Sequence, residues 1–219
     1  MFAEIYKKTP KSERWEDVLT SSFFGPIRYT TTFESVLKKI LIGVEFKEEA
    51  HREEFLQTLE NLGDDWEIRF WEKINRKEID VLIISKKSEA IIGIEIKYGS
   101  ELSGEEQLSN YAKLLSKEYN KYSRFLIFLA KDISAKTLYE TTYKGVLDSD
   151  HCIKGFGYAS WQIFYRELNK IKTNNHPDKL IVTDLLKYLK FKNLDGFIEF
   201  DYEKLTSKKI NLTQKYYFS

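Results

Sequence analysis

The sequence predicts an α/β fold, a sheet flanked by helices, and three observations carry that prediction. Apolar residues recur at helical spacing through the first sixty or so positions, with no alternating strand among them. From Trp66 the period switches to two. Beyond that, the aliphatic runs "IDVLIIS" (79 to 85), "AIIGIEIKY" (90 to 98) and "RFLIFLA" (124 to 130) are split by one amphipathic helical stretch. The last run is apolar at nearly every position, the mark of an interior strand covered on both faces.

Element by element, Ser12 is placed to cap a first helix on which Trp15, Val18, Leu19, Ser22 and Phe23 share a face, and Gly25-Pro26 ends it. On a wheel of about 100° per residue, Glu16 falls at the margin of that face with Leu19 and Phe23. Glu13 and Asp17 point farther toward solvent. A second helix follows on Phe33, Val36, Leu37, Ile40 and Leu41, and a third over Ala50 to Leu62 stops at Gly63. Three helices thus precede any clear strand.

Trp66, Ile68 and Phe70 then alternate with Glu67, Arg69 and Trp71, which reads as a strand with the second set on its polar side. Runs 79 to 85 and 90 to 98 flank "KKSE" and read as a hairpin of open turn type. Ser103 or Gly104 opens the next helix, which buries Leu108, Ala112 and Leu115. "CIKGFGYA" (152 to 159) reads as a strand, Ser160 caps a helix carrying Trp161, Phe164, Tyr165, Leu168 and Ile171, and Pro177 starts another to about Leu189. From about 191 the Lys- and Tyr-rich remainder supports no assignment.

Composition sets the bounds. At 219 residues, 42% hydrophobic and 32% charged, the chain reads as one folded domain over 1–219 with a poorly defined C-terminal segment. The net charge of +1 neither requires nor excludes a nucleic-acid partner, so any basic surface must be local. A lone cysteine, Cys152, removes an internal disulfide framework and a cysteine-rich zinc site. The N-terminus lacks the apolar core of a signal peptide and no run is long enough to span a membrane, so a cytoplasmic location is expected. His51, His151 and His176 are scattered without partners.

Two stretches echo each other: "LIGVEFK" (41 to 47) and "IIGIEIK" (91 to 97). A chain this rich in Glu and Lys holds roughly two or three Glu-x-Lys triplets by chance, so context must choose between them. Glu45-Phe46-Lys47 lies at a junction between helices. Glu95-Ile96-Lys97 lies on a strand, where period two puts Gly93, Glu95 and Lys97 on one face of a run that otherwise looks buried. Burying both charges costs several kcal/mol unless they are paired or bound to an ion. The plain alternative is a structural ion pair at a strand edge.

Asp80 opens the partner strand, within reach of Glu95 across the hairpin. Two carboxylates beside a lysine suit a hard cation such as Mg²⁺, which takes one or two such ligands plus waters and substrate phosphate. Gly93, with no side chain, would let a ligand or backbone approach. Gln107 and Tyr111, four apart, share a face of the following helix and can bond a phosphate or a water.

In order and spacing, "ID…GIEIKYG…QLSNY" resembles the PD-(D/E)XK nuclease superfamily, in its RecB-like branch with Gln-x-x-x-Tyr. The resemblance spans about residues 12 to 130. It implies a restriction-endonuclease-like core, a central mixed β-sheet flanked by helices with N-terminal helices before it, and a metal-dependent nuclease cutting DNA. Asp80, Glu95, Lys97, Gln107 and Tyr111 fall on its site positions, and Glu16 on its N-terminal acidic one, with Glu13 and Asp17 as substitutes. Ile79 stands where the motif has proline.

The resemblance further implies Mg²⁺ or Mn²⁺ held by Asp80, Glu95 and the backbone carbonyl of Ile96, with Glu16 completing the shell. Lys97 would hold the attacking water or offset phosphate charge, and Gln107 and Tyr111 would position phosphate or water. Nucleic acid, DNA before RNA, is the implied partner, with a homodimer left open and no membrane. DNA contacts would fall to Lys73, Arg76 and Lys77 or to Lys204, Lys208 and Lys209. The rival expectation is a catalytically inactive module of this fold that binds nucleic acid or a protein.

Overall fold

The computed structural model describes residues 15–75, 77–98, 106–131, 135–148 and 153–196. Outside them lie Ser12, Glu13, Arg76, the predicted helix entry at Ser103 and Gly104, His151, Cys152, the distal lysines and the C-terminal segment beyond 196. The helices are α1 (Trp15–Ile27), α2 (Leu37–Leu41), α3 (Glu49–Asn61), α4 (Glu106–Glu118), α5 (Lys136–Asp148), α6 (Trp161–Lys170) and α7 (His176–Phe191). The strands are β1 (Glu45–Phe46), β2 (Glu67–Ile74), β3 (Lys77–Ser85), β4 (Ala90–Lys97), β5 (Ser123–Ala130) and β6 (Gly155–Ser160). They form one mixed sheet in the order β1-β6-β5-β4-β3-β2, so the fold is α/β.

The aliphatic runs become the middle of this sheet. β3 and β4 pair antiparallel through the predicted hairpin, β4 and β5 run parallel across α4, and β5 and β6 run parallel across α5. Asp65 secures the hairpin: its carboxylate accepts from the Ser85 hydroxyl at 2.7 Å and from the Lys87 amide at 2.8 Å, and these bonds hold the Asp65 carboxyl below the usual range. Helices cover both faces. Leu115 of α4 lies over Gly93, and Tyr139 of α5 donates to the Phe156 carbonyl at 2.9 Å. On the other face, Phe55 of α3 packs edge-on against Phe125, and Phe23 and Phe24 of α1 meet Trp161 and Phe164 of α6.

Several expectations need correction. Glu45-Phe46 is not a junction between helices but an edge strand, β1, paired antiparallel with Tyr158 and Gly157 of β6. Gly157 permits the pairing, since a Cβ there would stand 2.6 Å from Val44. Two residues are too few to show a period. Helix α5 has no counterpart among the elements expected from sequence. Its buried stripe is Tyr139, Thr142, Tyr143 and Val146, so the helical period is carried mostly by tyrosine and threonine, with a single aliphatic. Helix α1 runs through Pro26 to Ile27, so Gly25-Pro26 lies inside its last turn instead of ending the helix before it.

Two side-chain caps are present, of which the sequence predicts the one at Ser160. The Ser160 hydroxyl accepts from the Ile163 amide at 3.2 Å, and the Asn175 side chain accepts from the Asp178 amide at 3.1 Å, one residue before the helix that carries Pro177. Asp178, 1% exposed, in turn accepts from the amide and hydroxyl of Thr31, which ties α7 to the chain leaving α1. Among the described residues, no helix is long and apolar enough to cross a membrane.

Candidate functional site

Both ladders that flank Asp80 are interrupted at it. Between β2 and β3 the register passes from Phe70↔Val81 to Glu72↔Ile79 and skips Trp71, which stands opposite Asp80. Between β3 and β4 it ends at Val81↔Ile94, one step short of bringing Asp80 opposite Glu95. Trp71 has φ +51°, rare for a bulky residue, and this turns it inward although its phase in the strand is polar. Breaks of this kind re-aim side chains at functional sites.

Where the ladder ends, carboxylates replace it. The Ile96 amide donates to Asp80 Oδ2 at 2.8 Å and the Tyr98 amide to Glu16 Oε1, also at 2.8 Å. Residues 96 and 98 present their amides on the same edge of β4, so Asp80 and Glu16 sit side by side along it. The Ile96 carbonyl belongs to that edge too, since a residue's N–H and C=O share one side of a strand. Helix α1 packs on β3 and β4, which is how Glu16 arrives there. Glu16 from the helix and Asp80 from the hairpin thus accept from alternate amides of one strand edge.

Glu95 is the buried member, at 2% exposure. Its Oε1 accepts from Lys97 Nζ at 3.0 Å and from Gln107 Nε2 at 2.8 Å. Gln107 Nε2 also donates to the Tyr111 hydroxyl at 3.0 Å. Glu95 Oε2 is buried with no hydrogen-bond partner. All six predicted residues, Glu16, Asp80, Glu95, Lys97, Gln107 and Tyr111, thus belong to one connected group around the end of β4.

Electrostatics make this group unstable as a set of free anions. Burial pushes the Asp80 carboxyl up to about 7, against the pull of the Ile96 amide and Lys97, and the Glu16 and Asp17 charges push the same way. Burial, then the Asp80 charge, holds Glu95 well above the usual carboxylate range. For Lys97 burial disfavours the ammonium, but Glu95, Glu16 and Asp80 outweigh it and its pKa rises. Tyr111 is pushed up to about 12 by burial and by Glu95, so it keeps its proton. Asp17, expected farther toward solvent, is half-buried and adds its charge to the group.

The residues fit a divalent cation. Two carboxyls forced toward protonation, one with an orphaned buried oxygen, would be relieved by a positive charge between them, and Mg²⁺ needs only one or two carboxylates. Among the described residues there is no ready-made cage of three or more His, Cys, Asp or Glu side chains. Two roles differ from expectation. Gln107 and Tyr111 hold Glu95 rather than open space, and the gap above Gly93 is filled by Leu115, whose methyl would lie 3.0 Å from a Cβ there. Trp71 and Tyr98 were missed. The only signal for Trp71 was a tryptophan on the polar phase of a strand, and Tyr98 contributes backbone, which carries no residue signal.

Away from this group, Lys73 and Lys77 are exposed. His51 is half-buried with Nδ1 3.0 Å from the Tyr143 hydroxyl, a link between α3 and α5. Residues 39–137 match a family model described as "Domain of unknown function (DUF4143)", a stretch that contains Asp80, Glu95, Lys97, Gln107 and Tyr111 but not Glu16. No curated protein and no solved structure matches the chain.

Proposed function

We propose that the protein is a divalent-metal-dependent nuclease that hydrolyses phosphodiester bonds, with DNA as its first substrate. The observation that supports it most is Glu95: buried, with one oxygen unpartnered, beside Lys97 and one register step from Asp80. A structural ion pair has no use for a second carboxylate whose charge is disfavoured there, nor for an orphaned oxygen.

In this reading Asp80 and Glu95 hold Mg²⁺ or Mn²⁺, with Glu16 and the Ile96 carbonyl beside them on the β4 edge. The bound ion supplies charge that polarises the phosphate and lowers the pKa of a water. Water adds to phosphorus and releases a proton to solvent, the bond to one sugar oxygen breaks, and that oxygen takes up a proton from solvent. Lys97 remains an ammonium at neutral pH, since its pKa is raised, so it offsets the negative charge growing on the phosphate instead of removing a proton. Gln107 fixes the rotamer of Glu95, and Tyr111 fixes Gln107.

The test is incubation of purified protein with linear, circular, single-stranded and branched DNA, and with RNA, in Mg²⁺ or Mn²⁺. Cleavage that disappears in Asp80→Ala and Lys97→Ala, with both variants folded, is the expected result. Intact substrates under all metals would sink the reading and favour the alternative, a module of this fold that binds without cutting.

A further inference from the structure

We propose that the cleft between the start of β3 and the first two turns of α4 is a subsite for one unpaired nucleotide next to the bond that is cut, with Lys77 holding its phosphate and Asn110 its sugar or base. This inference rests on the nuclease reading and names the form of substrate that reading leaves open.

The cleft has a volume of about 320 Å³ and is lined by Lys77, Glu106, Gln107, Asn110 and Tyr111. It lies at the small end of the range for ligand pockets. That accommodates a single nucleotide and not a turn of duplex. Its inner wall is the same Gln107–Tyr111 pair that holds Glu95, so the cleft and the carboxylate group share a boundary. Residues 107, 110 and 111 fall on one face of α4 by helical spacing.

The two polar groups at its outer wall are uncommitted. Among the described residues, neither the Lys77 ammonium nor the Asn110 amide has a hydrogen bond or ion pair. The lysine of the carboxylate group, Lys97, is engaged elsewhere, since it pairs with Glu95. The wall carrying Lys77 is also held in place. Asn75, at φ +49° in the β2–β3 turn, donates its side-chain amide to Glu118 at the end of α4. This bond links the β2–β3 turn to the helix.

Charge orders the occupant within the cleft. Lys77 attracts a phosphate, whereas Glu106 repels one, so the phosphate belongs on the β3 side and the neutral sugar or base on the α4 side. Asn110 offers both donors and an acceptor to that neutral part. A paired base is already committed to its complement and stacked, so the subsite favours a single strand or a frayed end.

The proposal is tested by binding of a short fluorescein-labelled single strand, and of the same strand in a duplex, by anisotropy in EDTA over a range of salt. Lys77→Gln should weaken single-strand binding about tenfold and lower the slope of log K against log salt by about 0.7, the value of one phosphate contact. Asn110→Ala should weaken it by a similar factor with the slope unchanged, and Glu106→Gln should tighten it. Single-strand binding by Lys77→Gln within about twofold of wild type at equal slope, or an equal loss for the duplex, overturns the subsite. Cleavage by the wild type, scored separately, decides the nuclease reading, so the two can fail independently.

Discussion

Two copies of Glu-x-Lys occupy opposite halves of one sheet and do different things. At the edge, Glu45 pairs with Lys136 at 2.6 Å with both side chains about 40% exposed, and Lys47 lies 5.2 Å over the Tyr143 ring. In the interior, Glu95 is 2% exposed and pairs with Lys97 on its own strand. The edge pair is screened by water and its charges cost little. The interior pair sits beside Asp80, Glu16 and Asp17; burial raises the Asp80 and Glu95 pKa values, and neighbouring carboxylate charges push the same way. Burial and company, not the triplet, separate an exposed surface pair from a buried one.

The largest effect that tests this contrast is on cleavage. Asp80→Ala should lower kcat by about 10³-fold or more, as loss of a metal ligand does, whereas Glu45→Ala should stay within about twofold of wild type. A comparable loss in both would end the distinction. Lys97→Ala should cost about 10²-fold in kcat with KM little changed, since its charge matters most as the phosphate gains charge, and Lys47→Ala should cost nothing measurable.

Stability separates the copies as well. Lys97→Met leaves Glu95 buried without its cation and should destabilise the fold by about 2 kcal/mol near neutral pH, somewhat less than a fully buried pair because Lys97 is partly exposed. Lys136→Met should cost less than about 1 kcal/mol. Denaturant midpoints of the two variants read this directly.

A smaller effect concerns pH. The Asp80 pKa is about 7 in the fold, above its ordinary value of 3.8, so the folded state holds that proton more tightly than the unfolded chain does. Its contribution is therefore favourable at low pH and is lost as pH rises between those values. Asp80→Asn, which can still accept from the Ile96 amide, should raise Tm at pH 8 by about 2–6 °C without metal and change it little at pH 4. The same proton competes with a cation, so Mn²⁺ affinity of the wild type should fall about tenfold per unit below pH 7, measured by calorimetry. Affinity independent of pH would remove Asp80 from the ligand set.

Much of this was legible in local sequence. The period of two and the apolar runs named β2 to β5, and Ser160 named its own cap. Asp80, Glu95, Lys97, Gln107 and Tyr111 were found because they lie within one hairpin and the helix that follows, where spacing still implies distance. Glu16 needed a helical wheel and a family resemblance to bridge the 64 residues to Asp80. Strand β1 was hidden because its pairing depends on Gly157, far along the chain. Helix α5 was hidden because its stripe is made of Tyr, Thr and Val, residues whose preference runs toward strand.

Taken alone, the sequence determined which residues could share a face and which charges could not be left in an apolar run, since both follow from backbone period and the cost of burying charge. Only the tertiary structure decided how the charges meet. It broke both ladders at Asp80, turned Trp71 inward at φ +51°, set Glu16 on the Tyr98 amide, and left one Glu95 oxygen without a partner. The reason is that these outcomes depend on register and packing between distant segments, which no window along the chain contains.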